Sequence, residues 1–236
     1  ANPGREVDDF VSFVDFAPTF LELAGVNPGE TEMEPVEGKS LTNIFYSKKS
    51  GTVDTSRNYA LIGKERHDIG RPDDNGYPVR GIVTDEYLYL KNFKPSRWPA
   101  GPPVTGYLNT DGSPTKTVVL DRRGESTPHD YWKLCFGKRP GEELYNIEKD
   151  PGCMNNLAAD SEYEDIKNRL RERLFSKLEE QEDPRMLDNG DVFDNYEYAG
   201  DAHRNYYERY MNGEDVPAGW VNESDYRVSR EEWRKK

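Results

Sequence analysis

"VRGIVTDEYLYLKNF", residues 79–93, contains two runs of alternating apolar and polar side chains on either side of Asp85 and Glu86. A period of two is typical of strands that bury one face, and a short acidic break between two such runs predicts a turn. We therefore predict a β-hairpin, and the hairpin makes an antiparallel sheet the centre of the fold.

Further strand-like runs extend this sheet. Residues 58–63 precede the hairpin, residues 77–78 lengthen its first strand, and residues 143–147 follow it. Asp150, Pro151 and Gly152 then supply a turn, because proline presets φ and glycine accepts positive φ. We expect a small antiparallel sheet of about four strands.

A helix predicted over about residues 162–182 follows this turn. Ser161 and Glu164 have the spacing of a capping box, and Asp183-Pro184 ends the helix. The apolar side chains recur at helical spacing on one face: Tyr163, Ile166, Leu170, Leu174, Phe175 and Leu178. We expect this face to cover the sheet, and the alternative is a groove on a partner protein.

Another helix is predicted over about residues 15–24, with Asp15 as N-cap, Pro18 in the first turn and Gly25 as the C′ stop. Apolar side chains surround it almost completely: Phe16, Phe20, Leu21 and Leu23. The pattern predicts a buried helix. A shorter helix is predicted from Leu41 onward.

The composition is polar for a chain of 236 residues: 34% is hydrophobic, 33% is charged and the mean hydropathy is −0.99. A net charge of −13 argues against a general nucleic-acid or anionic-membrane binder. No apolar run reaches the roughly 18 residues of a membrane span. We expect part of the chain to be extended and to lie on another surface.

Residues 181–236 have this character, with 14 acidic and 8 basic side chains and scattered tyrosines and tryptophans. The aromatics favour a strap anchored on the folded body over a disordered tail. We thus predict three parts: residues 1–50 as the end of a large α/β domain, residues 51–184 as the sheet subdomain, and residues 185–236 as an acidic, aromatic-anchored tail.

The first ten residues, "ANPGREVDDF", lack an initiator Met and are typical of the interior of a longer protein. We expect the chain to be a fragment. Cys135 and Cys153 either form a disulfide or remain two free thiols, and two cysteines do not determine a cellular compartment. No C-x-x-C pair indicates zinc.

Three motifs occur in the order found at the C-terminal end of sulfatases: "SFVDFAPTFLELAG" with "GKSL", the hairpin sequence, and "EELYNIEKDPGCMNNLA". The chain resembles that family over roughly residues 5–180. The stretch "DPRMLDNGDVFD", residues 183–194, is similar to bacterial relatives of heparan N-sulfatase (N-sulfoglucosamine sulfohydrolase). The resemblance implies a parent hydrolase, exported from the cytoplasm, that acts on sulfate esters or sulfamates of a sulfated, glycosaminoglycan-like carbohydrate.

Sulfatases use a formylglycine made within C/S-x-P-x-R and a calcium ion held by Asp and Asn, so that an oxygen nucleophile lies beside a hard cation. "CFGKR" has Gly137 in place of the proline, and "STPHD", which begins at Ser126, has Asp130 in place of the arginine. Neither qualifies. The resemblance therefore implies that formylglycine and calcium belong to an N-terminal catalytic domain of the same protein, and we expect no catalytic residue, metal ligand or cofactor in this chain.

A substrate-binding contribution is predicted for "GKERHDIG", residues 63–70, because the corresponding loop of the sulfatase fold leans toward the rim of the active site. The resemblance implies that Lys64, Arg66 and His67 contact sulfate or sugar hydroxyls, and Arg80 adds a bidentate contact. The alternative is that these are solvated loop charges and that Arg80 bridges to an aspartate. His129 and His203 are interpreted as ordinary surface residues.

These observations predict an α+β fold: an antiparallel-sheet subdomain packed by a C-terminal helix, a helix from a large α/β domain, and a polar tail. Two alternatives to a sulfatase parent remain open. One is a phosphate or phosphonate monoesterase of the same alkaline-phosphatase-like superfamily, and the other is a non-catalytic binding or assembly module.

Overall fold

The sheet of the protein has four antiparallel strands in the order β1-β2-β3-β4, as seen in a computed structural model that describes residues 3–125, 128–216 and 218–235. The strands are β1 (Ala60–Lys64), β2 (Val79–Val83), β3 (Tyr87–Asn92) and β4 (Glu142–Asn146). Each overlaps a run that the sequence predicts as a strand. The α+β fold class is confirmed.

The β2–β3 hairpin turns at the predicted place. The amide of Thr84 donates to the carbonyl of Tyr87 over 2.9 Å, so Asp85 and Glu86 form the connection. The register places Ile82 opposite Leu61 and Tyr89. Because these neighbours share one face, the apolar residues of the hairpin form a continuous row across the sheet.

Eight α-helices occur within the described residues: α1 (Phe16–Leu23), α2 (Thr42–Tyr46), α3 (Pro114–Asp121), α4 (Tyr131–Phe136), α5 (Glu164–Glu180), α6 (Val192–Asn195), α7 (Tyr206–Met211) and α8 (Arg230–Trp233). Short 3-10 turns lie at Phe13–Asp15, Pro28–Glu30, Pro72–Asp74, Pro103–Thr105, Ser161–Tyr163 and Glu223–Asp225. None of the described helices combines the length and the apolar character needed to cross a bilayer.

The main core lies between α5 and one face of the sheet. Leu170, Leu174 and Leu178 of α5 are at most 5% exposed and belong to one cluster with the sheet residues Tyr89 and Leu144. Burying a leucine side chain stabilises a fold by about 1.5–3 kcal/mol. The predicted stripe is confirmed, and it is the element that covers the sheet.

The predicted capping box is wrong. Asp160 is the N-cap, and its carboxylate accepts from the amide of Glu162 over 3.0 Å. Ser161 is therefore already inside a 3-10 turn, Ser161–Tyr163, that leads into α5. Aspartate is as good a cap as serine, so the chain begins its helical turn one residue earlier than the capping-box spacing suggests.

The prediction that α1 is buried is also wrong. Phe20 is 64% exposed and Leu23 is 49% exposed, and Thr19 is the buried residue of the helix. Gly25 ends the helix with φ of 69°, as predicted. The apolar surface remains open, whereas the polar side of α1 contacts the segment before and at the start of α2: Thr19 accepts from the amide of Leu41, and Glu22 accepts from the hydroxyl of Thr42.

The acidic tail lies against the body through a second apolar cluster, to which both contribute. Tyr206 and Val216 are buried in a cluster with Ile69 and Leu108, and the indole N–H of Trp220 donates to the carbonyl of Leu108 over 2.9 Å. The tail is less extended than the sequence suggests, because it contains α6, α7 and α8. Its anchors nevertheless are the aromatic side chains that the composition indicates.

A buried ion pair also fixes the tail. Lys116 of α3 and Asp225 are separated by 3.2 Å, and their side chains are 1% and 0% exposed. The Lys116 ammonium also donates to the carbonyls of Gly106 and Thr110. The pair joins the end of the chain to the loop before α3, because each charge satisfies the other away from water.

Candidate functional site

The predicted site residues lie on β1, β2 and the loop after β1, but they do not converge. Pairing of β1 with β2 places Lys64 opposite Val79 and Gly63 opposite Arg80. Because successive side chains alternate between faces, Lys64 and Arg80 point to opposite sides of the sheet. The four predicted residues, Lys64, Arg66, His67 and Arg80, therefore do not form one site.

Arg80 lies on the α5 side of the sheet within a cluster of charges. Its Nε donates to Asp183 over 2.6 Å, and its Nη2 lies 2.7 Å from Glu65. Arg185 pairs with the same Glu65 at 2.7 Å. The guanidinium thus links β2 to the end of α5, which is the aspartate bridge that the sequence left as an alternative for this residue.

Arg66 holds the tail. Its guanidinium donates to the carbonyls of Tyr196 over 2.9 Å and Glu197 over 3.2 Å, and it lies 5.4 Å from the ring centre of Tyr198. His67 is exposed in the same loop and forms no hydrogen bond with a residue that the structure describes. A substrate role for both residues stays a prediction.

Lys64 faces a cavity of about 400 Å³ on the sheet surface opposite α5, which we call the open-face groove. Antiparallel register puts Lys64, Val79 and Asn92 in one cross-strand row of this face. Leu90 and Glu143 form the next row. Tyr77, Arg139 and Met154 are among the residues that close the groove from outside the strands. The strands therefore present both apolar and polar side chains to the groove.

Tyr77 supplies an unused hydrogen-bond donor. Its side chain is 3% exposed, and its hydroxyl has no partner among the described residues. Burial, assisted by the negative charge of Glu143, raises the pKa of Tyr77 to about 12. A phenol that keeps its proton and lacks a partner is costly when buried, so this hydroxyl is suited to a ligand oxygen or a water molecule.

The wall of the groove around Glu143 is held by hydrogen bonds. Glu143 is 4% exposed and accepts hydrogen bonds from the Asn92 amide over 2.7 Å and the Tyr145 hydroxyl over 2.5 Å. Arg139 lies 3.6 Å from the same carboxylate. Because every oxygen of Glu143 is engaged, this wall positions side chains and is not available as a free base.

Lys64 is the free cation of the groove, since its ammonium makes no hydrogen bond or ion pair with any residue in the described ranges. Desolvation, followed by the positive charge of Arg71, lowers the pKa of Lys64. An ammonium and a phenol that both lack partners are donors for anionic or hydroxylic oxygens. The groove is therefore a binding surface for an oxygen-rich ligand.

The open-face groove also contains the two cysteines of the chain. Cys135 and Cys153 line it as free thiols, so the unpaired alternative describes this structure. Desolvation, with Asp150 and Glu143 nearby, raises the pKa of Cys153 and keeps it a thiol. Ser126 of the other motif-like stretch lies outside the described residues.

Calcium does not fit the residues at hand. Within residues 3–125, 128–216 and 218–235 there is no group of three or more His, Cys, Asp or Glu side chains that could hold a metal ion. Calcium takes six to eight oxygen ligands, so a single carboxylate such as Glu143 does not suffice.

Sequence reasoning missed Tyr77 and Arg139. Arg139 is part of "CFGKR", but there it attracts attention only as the last position of a failed nucleophile motif. Tyr77 precedes Pro78 just before β2 and carries no local signal of an unpartnered hydroxyl. Only the packing of the groove identifies both residues.

The chain is similar to two ulvan-active sulfatases of Formosa agariphila. The first is 26% identical over 181 residues, which cover 77% of this chain and 31% of the relative. The second is 26% identical over 168 residues, which cover 70% of this chain and 24% of the relative. The chain thus spans less than a third of the length of either relative. No family model matches it.

Among solved structures, the chain resembles a putative sulfatase from Bacteroides thetaiotaomicron, with a TM-score of 0.40, 20% identity, and coverage of 72% of this chain and 25% of that one. It also resembles a 2-O glycosaminoglycan sulfatase, with a TM-score of 0.41, 19% identity, and coverage of 72% and 25%. The homologues of this chain are sulfatases, and the predicted resemblance to part of a larger protein of that superfamily is confirmed.

Proposed function

We propose that the chain is the C-terminal part of a sulfatase that hydrolyses sulfate esters or sulfamates of a sulfated carbohydrate. The observation that carries the proposal is the 26% identity to an ulvan-active sulfatase over 77% of the chain. The formylglycine and the calcium ion belong, in this proposal, to the catalytic domain of the same protein outside this chain.

The open-face groove gives this chain a role in substrate binding. Lys64 presents an unpaired ammonium, and Tyr77 presents a buried hydroxyl without a partner. Together they bind sulfate oxygens or sugar hydroxyls, and the wall around Glu143 keeps the groove in shape. His67 adds a donor from the exposed loop after β1. These residues orient substrate and take no part in cleaving the ester.

The carbohydrate is the finer part of the proposal. The similarity of "DPRMLDNGDVFD" to heparan N-sulfatase relatives favours an N-sulfated glucosamine, whereas the curated relatives are active on ulvan. Both belong to sulfated carbohydrates, which is the class that the groove chemistry suits. Sulfate release from each type of oligosaccharide by the longer protein separates the two.

The test uses the longer protein and measures release of inorganic sulfate by ion chromatography. Lys64→Ala and Tyr77→Phe are expected to raise KM for a sulfated oligosaccharide about tenfold each, the effect of a contact worth about 1.4 kcal/mol, and to leave turnover of a small aryl sulfate nearly unchanged. Lys149→Ala, at an exposed lysine after β4, is the matched control. Unchanged KM in both groove variants contradicts the binding role.

Two further arms address the alternatives. Faster release of phosphate than of sulfate from matched monoesters would favour the phosphomonoesterase reading over the sulfatase one. The chain by itself is expected to hydrolyse neither sulfate esters nor sulfamates, with or without added calcium. Turnover by the purified chain above a mock preparation contradicts the assignment of the catalytic groups to another part of the protein.

A further inference from the structure

A second cavity, of about 320 Å³, lies where the loop at Pro72, the segment around Trp98 and the last helix α8 meet. Its wall includes Arg71, Arg97, Lys138 and the indoles of Trp98 and Trp233. None of the described residues that line it is acidic, although the whole chain carries a net charge of −13. A basic, aromatic cavity on so acidic a chain indicates an anionic ligand.

Arg71 is the most unusual member of this wall, because it is 2% exposed and has no carboxylate partner within the described residues. Its Nε and Nη2 donate to the carbonyls of Trp98 and Pro99, each over 2.8 Å. Burial, with Arg97 nearby, lowers the pKa of Arg71 to about 10. Carbonyl oxygens hold the guanidinium in place but do not neutralise it, so a bound anion relieves an existing cost.

A second positive charge comes from Lys138, an exposed side chain that lies 5.4 Å from the ring centre of Trp98 and pairs with no described carboxylate. Arg97 differs, because Asp194 binds it through two contacts of 2.9 and 2.7 Å. Arg97 therefore shapes the wall, whereas Arg71 and Lys138 supply its net positive charge.

The two indoles are held in fixed orientations. The N–H of Trp233 donates to the hydroxyl of Tyr207 over 2.8 Å. Trp98 makes edge contacts with Tyr107 and Trp132, both with ring centres 6.4 Å apart. Rigid aromatic faces beside charged donors match a sugar ring, which has apolar C–H faces and polar substituents, better than they match a free inorganic anion.

The cavity adjoins the open-face groove. Trp98 and Lys138 line the cavity, and the next residue of the chain in each case, Pro99 and Arg139, lines the groove. The two spaces therefore have neighbouring walls at two places.

We propose that this cavity, the Trp98–Trp233 pocket, is an accessory site that binds a second sulfated sugar residue of the polymer whose first residue occupies the groove. The inference rests on the proposed function for the identity of the ligand. It also gives the tail a role, since Trp233 lies near the end of the chain and completes the pocket from there.

The experiment is isothermal titration of the 236-residue chain with a sulfated oligosaccharide prepared from ulvan, its chemically desulfated counterpart, and sodium sulfate. Lys138→Ala and Trp233→Ala are each expected to weaken binding of the sulfated oligosaccharide about tenfold, the loss of a contact worth about 1.4 kcal/mol. Arg71→Gln is expected to do the same, and because Arg71 is buried its thermal midpoint is measured beside it.

Matched controls are Lys149→Ala for the exposed lysine and Tyr196→Ala for the tail aromatic, and both are expected to bind within about twofold of the unmodified chain. Equal binding by Lys138→Ala, Trp233→Ala and the unmodified chain overturns the proposal. Equal affinity for sodium sulfate and for the oligosaccharide overturns the assignment of a sugar ring to the pocket.

Failure of this inference and failure of the proposed function give different results. Turnover of a small aryl sulfate by the longer protein does not depend on the Trp98–Trp233 pocket. Normal aryl sulfate turnover together with pocket variants that bind the oligosaccharide normally counts against the pocket alone. If the unmodified longer protein does not hydrolyse aryl sulfate, the result counts against the proposed function.

Discussion

The sheet with α5 and the acidic tail are held in opposite ways. The sheet unit has a periodic apolar stripe, and Leu170, Leu174 and Leu178 of α5 bury it in one continuous core. The tail has no such stripe. It is held by a smaller cluster in which Tyr206 and Val216 are buried with Ile69 and Leu108, and by polar contacts such as that of Trp220 with the carbonyl of Leu108.

The difference shows how a polar segment such as the tail is ordered without a periodic apolar stripe. Hydrophobic burial along a regular stripe stabilises α5, whereas the tail combines one small buried cluster with polar contacts at several points on the body. Arg66 contacts Tyr196, 130 positions along the chain. The position of the tail thus depends on groups that the folded body presents.

The largest effect is expected from deletion of the tail after Pro184. This change exposes Ile69 and Leu108, which are 0% exposed in the intact chain, and it removes the partner of Lys116. We expect a loss in the free energy of unfolding larger than that of any single substitution, since each re-exposed side chain costs about 1.5–3 kcal/mol. Urea unfolding measures it.

Limited proteolysis of the intact chain is the companion measurement. A tail held by buried anchors resists cleavage until the body unfolds. Rapid trimming back to about Pro184 under native conditions contradicts the anchored arrangement.

The next largest effect is expected from Asp225→Ala. The substitution leaves the Lys116 ammonium buried without its counter-ion, and breaking a buried pair in this way costs about 3–5 kcal/mol. Urea unfolding of Asp225→Ala and of the control Asp215→Ala, at an exposed tail aspartate, measures the difference. A loss below about 1 kcal/mol in Asp225→Ala indicates that the end of the tail contributes little to stability.

A leucine in each region gives a matched comparison. Leu174→Ala, at a side chain that is 0% exposed, is expected to cost about 2–5 kcal/mol through lost burial and the cavity left behind. Leu187→Ala, at a tail side chain that is 55% exposed, is expected to cost no more than about 0.5 kcal/mol. Denaturant midpoints measure both, and similar losses contradict the contrast between the two regions.

The smallest effect is a pH dependence at Asp15. Burial opposes its ionisation, but the amides of Ser12 and Lys39 and the guanidinium of Arg57 outweigh burial and lower the pKa of Asp15 below its ordinary value of 3.8. The pKa of Asp15 is lower in the folded state than in the unfolded state. The stabilisation is therefore complete above the unfolded value of 3.8 and disappears as the pH falls through the folded pKa.

Asp15→Asn removes the ionisable carboxylate. We expect the variant to be less stable than the unmodified chain by about 1–3 kcal/mol at pH 7, with the gap closing as the pH falls below 3.8. Thermal unfolding from pH 7 to pH 2 measures the gap. A gap in stability that stays constant with pH shows that the ionisation of Asp15 is not its source. Asp215→Asn is the control.

The sequence by itself determined the sheet, the hairpin and the stripe of α5, because these depend on local periodicity. The alternation of apolar and polar residues on either side of Asp85 and Glu86 specifies two strands and their turn, and it does not depend on what the hairpin packs against. The ordered motifs indicated the sulfatase superfamily for a similar reason, since they can be read without knowing any contact. The capping box failed because Asp160 and Ser161 are equally good caps, and only the observed contact distinguishes them.

The tertiary structure alone decided which charges are engaged. In sequence, Arg66, Arg80 and Lys64 are similar loop or strand cations. In the structure Arg66 contacts Tyr196 and Arg80 pairs with Asp183, whereas Lys64 faces the groove and has no partner among the described residues. The unused hydroxyl of Tyr77 and the uncompensated Arg71 are likewise invisible in the linear pattern. The reason is physical: hydrogen bonds and ion pairs act over a few ångströms, and residues more than a hundred positions apart come that close only after the chain has folded.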